Sequence, residues 1–245
     1  GKIRFDPAAS LETWHTAVNP LPEIAGIGTQ LPRLLGLDER LTTDEQRTRW
    51  SRILQDLPPI PKGMKEGLPV ILPAETFSQE ANYETPELYC VFPYPVYGIG
   101  KQDLELARNT YATRKHKKAH CWYQDQLHSA LLGLVDESRQ GIIERASAAS
   151  HSTSRFPAFW NAFHDWVPDV DHGGNLQLAL QLMLLQSEPG PNGKLRILPT
   201  WPKDWDVSFK LHAPGQTTVE CIYRNGVIES LKVTPASREK DVIRP

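Results

Sequence analysis

The chain has 245 residues, with 27 lysines and arginines against 29 aspartates and glutamates, a formal net charge of −2 at pH 7. That balance argues against a surface built for nucleic-acid phosphates or anionic membranes, and no apolar run is long enough to span a bilayer. Cys90, Cys121 and Cys221 are far apart and odd in number. Neither they nor the 8 histidines show metal-ligand spacing, so they read as buried thiols, and no metal or cofactor is implied.

Along the chain, Ser10 is placed to cap a short helix over 11–18 that ends at Asn19-Pro20, and a second short helix is expected over 29–35. Thr42 with Glu45 reads as a capping box. Trp50, Ile53, Leu54 and Leu57 then recur at helical spacing until Pro58-Pro59. From there to Pro93 the text is rich in proline and turn formers, the kind of long irregular stretch that is functional or disordered. A helix over 102–114 runs into the basic stretch 114–118, which reads as a solvated loop. Further helices are expected over 121–134, 137–149, 156–163 and 175–187. The last of these is apolar on nearly every face and reads as a buried core helix.

The texture then changes. "GKLRILPTWP" and "DVSFKLHA" are β-like, and "TTVECIYRNGVIESLKVTP" is two β-rich runs joined by Asn225-Gly226, a strong hairpin signal. The pattern predicts a mainly α chain, with an α domain over 1–190 and a small antiparallel β domain over 191–245. Helical hairpins joined by proline-rich, aromatic segments suggest part of an α/α toroid, whose loops at one end build a site.

Four segments carry acids beside aromatics. In "SLETWHT", Glu12 stands beside Trp14 and His15; it is either a first-turn glutamate favouring a helix dipole or an acid whose pKa desolvation raises. In "ANYETPELYCVFPYPVYG", Glu84 and Glu87 lie among Tyr83, Tyr89 and other aromatics. Rings with a few acids are how sugars are held, although a loop packed by its own aromatics reads the same way. "HCWYQDQLH" offers Trp122 and Asp125 at a helix start. The stretch 164–172 crowds His164, Asp165, Trp166, Asp169, Asp171 and His172 before Gly173-Gly174, where the backbone can approach a ligand closely. Acids at the mouth of so apolar a helix are either a cap paired with His172 or part of a site.

"DHGGNLQLALQLMLLQS…GKLRILPTWPKDW" resembles the end of the catalytic toroid of glycoside hydrolase family 95, the inverting α-L-fucosidase and α-L-galactosidase group. "PAASLETW" and "CWYQDQLHSALLGL" are similar to two further motifs of that family. The resemblance implies a six-hairpin toroid and hydrolysis of a terminal sugar in an oligosaccharide or polysaccharide. It implies Glu12 as general acid and Asp171 as general base, with carboxyls about 6.5–9.5 Å apart. It also implies a periplasmic or secreted, bacterial setting, with no nucleic-acid or membrane partner. Trp14, His15, Tyr83, Glu84, Glu87, Trp122, Asp125, Trp166, Asp169 and His172 would line the sugar site.

The chain departs from the family pattern at His172-Gly173 and at Thr13, and Asp169 is a rival base. A complete toroid needs about twelve helices, two per hairpin, so the chain is expected to be the C-terminal portion of a longer enzyme, the remaining helices coming from another segment or chain. The alternatives are a non-catalytic carbohydrate-binding or scaffold protein on the same fold, or a polysaccharide lyase using His or Tyr.

Overall fold

Two prolines decide where the first helix begins. Pro20 ends a strand at its N-cap position and Pro22 sits in the first turn, where a missing N–H costs nothing. In this computed structural model, which describes residues 1–118, 121–147, 170–190 and 192–245, the chain divides into two compact units, Gly1–Lys117 and Lys118–Pro245. The boundary expected at 190/191 falls inside the second.

The first unit opens with strands rather than the expected helix over 11–18. β1 (Ala8–Ser10) and β2 (Trp14–Pro20) are antiparallel, with Ser10 opposite Trp14, and β2 pairs onward with β5 (Ala74–Thr76). Leu11 and Thr16 both take positive φ, which no right-handed helix accepts. The Ser10 hydroxyl caps nothing and donates instead to the Pro73 carbonyl at 2.6 Å. Helix α1 (Leu21–Leu35) buries Leu21, Ile24 and Ala25 on one face, and starts eight residues before the expected 29–35 element. Helix α2 (Asp44–Asp56) does carry a capping box, one residue later than expected, between Thr43 and Gln46.

The stretch after Pro58-Pro59 is more ordered than its proline content suggests. β3 (Lys62–Lys65) and β4 (Leu68–Ile71) form a hairpin across Glu66-Gly67, both residues at positive φ. That is the type I′ geometry that matches the twist of paired strands. Helix α3 (Leu104–Thr113) packs on β4, and the Thr110 hydroxyl accepts the Ile71 N–H at 2.9 Å.

In the second unit α4 (Asp125–Leu132), α5 (Val135–Ser147) and α6 (Asp171–Leu184) pack on one another. Helix α6 is less buried than expected: Leu176, Leu178, Leu180 and Leu182 are only partly covered. It starts at Asp171 and ends at Leu184, and "LQS" leaves it as β6 (Leu185–Ser187). β6 pairs antiparallel with β7 (Leu195–Ile197), and β7 parallel with β11 (Val242–Ile243). β8 (Val207–Ala213), β9 (Thr217–Arg224) and β10 (Val227–Thr234) form the antiparallel meander expected here, turning at Asn225-Gly226. Their inner face joins Val219, Cys221, Tyr223 and Val233 to Leu184, Leu185, Leu195 and Ile197 in one core.

The mainly α expectation is therefore corrected. Among the described residues the chain is mixed α/β, 39% helical and 24% strand, with four small sheets. Strands alternate with helices in the first unit, where a toroid wall would need consecutive helical hairpins. The expectation that further helices complete a toroid falls with it. The element expected over 156–163 lies outside the described residues. Among the described residues, no helix is long and apolar enough to cross a membrane, and Cys90, Cys121 and Cys221 are buried.

Candidate functional site

The first unit holds a cavity of about 330 Å³ built from four of its elements. β2 contributes Trp14. β4 and the turn after it contribute Val70, Ile71, Leu72 and Pro73. Phe77, just past β5, meets Trp14 edge-to-face, with ring centroids 4.9 Å apart at 64°. Met64 and Lys65 reach in from the β3–β4 hairpin. The end of α3 supplies Thr110, Thr113, Arg114 and Lys115, and Glu87 supplies an acid. The volume lies at the lower end of the range of small-ligand pockets, about 300–1,000 Å³, and suits a ligand of one or two rings.

The charged residues of this wall are held in place. Lys65 Nζ donates to the Thr113 carbonyl, and Arg114 Nη1 to the Tyr111 carbonyl. Both acceptors belong to the last turn of α3, so the two cations meet the negative end of the helix dipole. The Arg114 guanidinium also lies 3.6 Å from the centroid of the Tyr111 ring. Lys115 pairs with Glu80, which His116 Nε2 also contacts at 2.7 Å. The Lys115 and His116 bonds hold the Glu80 carboxyl below the usual carboxylate range. A bridge between Trp14 and Glu80 ties this ion cluster to the cavity's aromatic wall.

Glu12, two residues before Trp14, stands beside a second acid, Glu84. Glu84 Oε2 accepts the Glu12 N–H at 2.8 Å and the Thr13 hydroxyl at 3.1 Å, while the Glu84 N–H donates to Thr13 Oγ1 at 2.9 Å. Glu12 is exposed, and its Oε2 accepts from Asn82 Nδ2 at 3.0 Å. Burial pushes the Glu84 carboxyl up, and the nearby Glu12 charge adds to this against the bonds from Glu12 and Thr13. Tyr83 stands 55% exposed beside this pair, with the His116 ring against it at 5.2 Å. His15 is exposed, and its N–H pairs with the Gln79 carbonyl at 3.2 Å.

The second unit uses its expected site residues differently. Asp171 is the exposed first residue of α6, and the N-cap position is Val170, not Asp171. His172 is fully buried. Its Nδ1 accepts the Cys121 N–H at 3.2 Å, and its Nε2 lies 2.9 Å from the Arg145 carbonyl. The network assigns the tautomer with the proton on Nε2, so both ring nitrogens are occupied by backbone.

Arg145 is itself buried. It donates to the carbonyls of Cys121 at 2.9 Å, His172 at 3.0 Å and Tyr123 at 2.7 Å, and to Gln126 Oε1 at 3.2 Å. This knot joins the 121–123 segment, α5 and the start of α6. Asp125 is buried in the first turn of α4, and Trp122 stacks on Tyr123 at 4.1 Å. Trp166 and Asp169 lie outside the described residues.

The structure thus brings together Glu12 with Glu84, and Trp14 with Glu87, all in the first unit. Asp171, His172, Trp122 and Asp125 belong to the second. Sequence reasoning missed Met64, Lys65, Phe77, Arg114 and Lys115. The signal that could have found the first two was the positive-φ Glu66-Gly67 turn. Among the described residues, no group of three His, Cys, Asp or Glu side chains is arranged to hold a metal ion.

No family model matches the chain, and no curated protein matches it. With the alternation of strands and helices in the first unit, this overturns the resemblance to glycoside hydrolase family 95. The motifs that carried it adopt other structures: "SLETW" is a strand turn, and "LLQS" crosses from helix into strand.

Proposed function

We propose that the first unit binds a carbohydrate ring in the cavity walled by Trp14 and Phe77. The observation that carries this reading is a ring-sized, largely apolar cavity whose wall holds an aromatic pair together with fixed charged side chains. Sugar C–H groups stack on an aromatic face while hydroxyls exchange hydrogen bonds with charged groups such as Glu87 and Lys115. The test is a titration of the full chain with a panel of mono- and disaccharides, read by tryptophan fluorescence and calorimetry. Binding by at least one sugar, lost in Trp14→Ala, supports the reading. No heat and no quench across the panel sinks it.

A second reading, glycoside hydrolysis, is favoured by the Glu12–Glu84 pair. General acid catalysis needs a carboxyl that keeps its proton near neutrality beside one that stays ionised. Burial lifts Glu84, whereas Glu12 lies in solvent. The acid role first expected of Glu12 therefore shifts to Glu84, whose carboxyl burial raises. Release of reducing sugar that Glu84→Gln abolishes, with ligand affinity retained, would favour hydrolysis over binding alone.

A further inference from the structure

The cavity's charge goes beyond what a neutral sugar needs. Its wall carries three cations, Lys65, Arg114 and Lys115, against one acid, Glu87, and a second acid, Glu80, outside the wall pairs with Lys115. In a chain with a net charge of −2, this is a local excess of positive charge at the one aromatic-walled cavity described above. Each cation is held by an acceptor of this same unit: Lys65 by the Thr113 carbonyl, Arg114 by the Tyr111 carbonyl and ring, and Lys115 by Glu80. An ammonium has three N–H donors; Lys65 donates to the Thr113 carbonyl and Lys115 to Glu80.

The cost of holding two long side chains in place is thus met within the apo protein, which is how preorganised sites gain affinity. We infer that the ligand of this cavity is anionic: a ring with an apolar face for Trp14 and Phe77, bearing a carboxylate or sulfate group that Lys65 and Lys115 bind with help from the Arg114 charge. This rests on the reading of the cavity as a ligand site, and it names the substrate class, acidic sugars rather than neutral ones.

Apolar and cationic walls together explain why neither part alone defines the ligand. Stacking selects the ring but ignores its charge. Charge-assisted hydrogen bonds are shorter and about twice as strong as neutral ones, so they decide between a uronic acid and the neutral sugar of the same ring. Lys117 belongs to the same basic stretch but does not line the cavity. It separates a specific site from general attraction to a basic surface.

The experiment is calorimetry on the full chain with four ligands: glucuronic acid, glucose, a glucose sulfate, and benzoate as an acid without a sugar. The parent, Lys65→Gln, Lys115→Gln and Lys117→Gln proteins are compared at low and at physiological salt. Expected are binding of glucuronic acid or the sulfate at least tenfold tighter than glucose, and about tenfold weakening in Lys65→Gln and in Lys115→Gln. Lys117→Gln should bind as the parent does.

Carboxylate and sulfate as the bound group are separated by which of the two acidic sugars binds. Equal affinity for glucose and glucuronic acid overturns the anionic class while leaving the carbohydrate reading intact. Binding of benzoate but of no sugar supports the anionic class and overturns the carbohydrate reading. Silence from all four overturns both. Because Lys115→Gln also releases Glu80, the double variant Lys115→Gln with Glu80→Gln is measured too. Weakening that persists there belongs to the lost ammonium, and recovery to parent affinity overturns its role.

Discussion

The two units bury polar groups for opposite ends. In the second, Arg145 and His172 are sealed inside and bonded to the protein: the guanidinium to three carbonyls and Gln126, the imidazole to the backbone on both sides. In the first, the cations are anchored at one end and face a cavity. A residue type does not announce which of these uses it serves; its partners do. Polar groups consumed internally specify a packing, whereas groups held by one partner at the edge of a cavity are placed for a ligand.

The largest expected effect breaks the second unit alone. Arg145→Met removes a buried charge and strips donors from three carbonyls, and should cost about 3–5 kcal/mol of stability. Urea denaturation measures it. Arg114→Met is the matched change in the first unit. It loses the bond to the Tyr111 carbonyl and the cation–π contact with that ring, and should cost about 1–2 kcal/mol while weakening an acidic ligand. If the two substitutions cost the same, the contrast between a structural and a ligand-facing arginine is wrong.

Next in size is Trp14→Ala, which should weaken ligand binding about thirtyfold, equivalent to about 2 kcal/mol at a stacking hot spot. Calorimetry reads it. His172→Gln, by contrast, should lower stability and leave affinity unchanged, since the ring serves the α6 start rather than a ligand.

Smaller still is a pair of glycine substitutions at equivalent turns. Gly67 and Gly226 take φ of +78° and +80°, and a Cβ would meet nothing within 4 Å at Gly67 and only the Lys203 carbonyl oxygen at 3.9 Å at Gly226. Gly67→Ala and Gly226→Ala should therefore each cost about 1 kcal/mol by backbone strain alone. Only the first sits on the hairpin that carries Met64 and Lys65 into the cavity, so only Gly67→Ala should also lower affinity. Equal affinities in the two variants would detach the hairpin from the site.

What the sequence made legible was local. The Asn225-Gly226 turn, the alternating β runs and the helices α2, α3, α4 and α5 follow from turn chemistry and periodicity, and they form close to where the pattern puts them. What failed was the choice between helix and strand where the pattern is short. "SLETWHTAV" carries an apparent cap and an acid, yet Val18 pairs with the distant Thr76, and Trp14 with Ser10 and Glu80. Tertiary pairing overrides such weak propensity. The acids were legible as candidates, but their partners were not. Glu84 was singled out without its bond to the Glu12 N–H, and the basic stretch at 114–118 was set aside because charge runs are usually solvated. Its first two residues line the cavity because the end of α3 aims them there.

The subtlest test sets two glutamates of the first unit against each other by pH. Glu80 is held below the usual carboxylate range by its bonds to Lys115 and His116. The unfolded chain therefore holds that proton more tightly than the native one, and stability from Glu80 is fully present above the ordinary glutamate pKa. It is lost as pH falls through the lowered native value. Burial raises Glu84, so its sign is opposite: the native state holds the proton more tightly, and the contribution is lost as pH rises from the ordinary value through the raised one. Thermal unfolding of the parent, Glu80→Gln and Glu84→Gln across the acid range should show the parent gaining on the first variant and losing to the second as pH increases. The same sign for both would mean that Glu84 is held as a paired anion, which would remove the basis for its role as an acid and leave the cavity as a binding site alone.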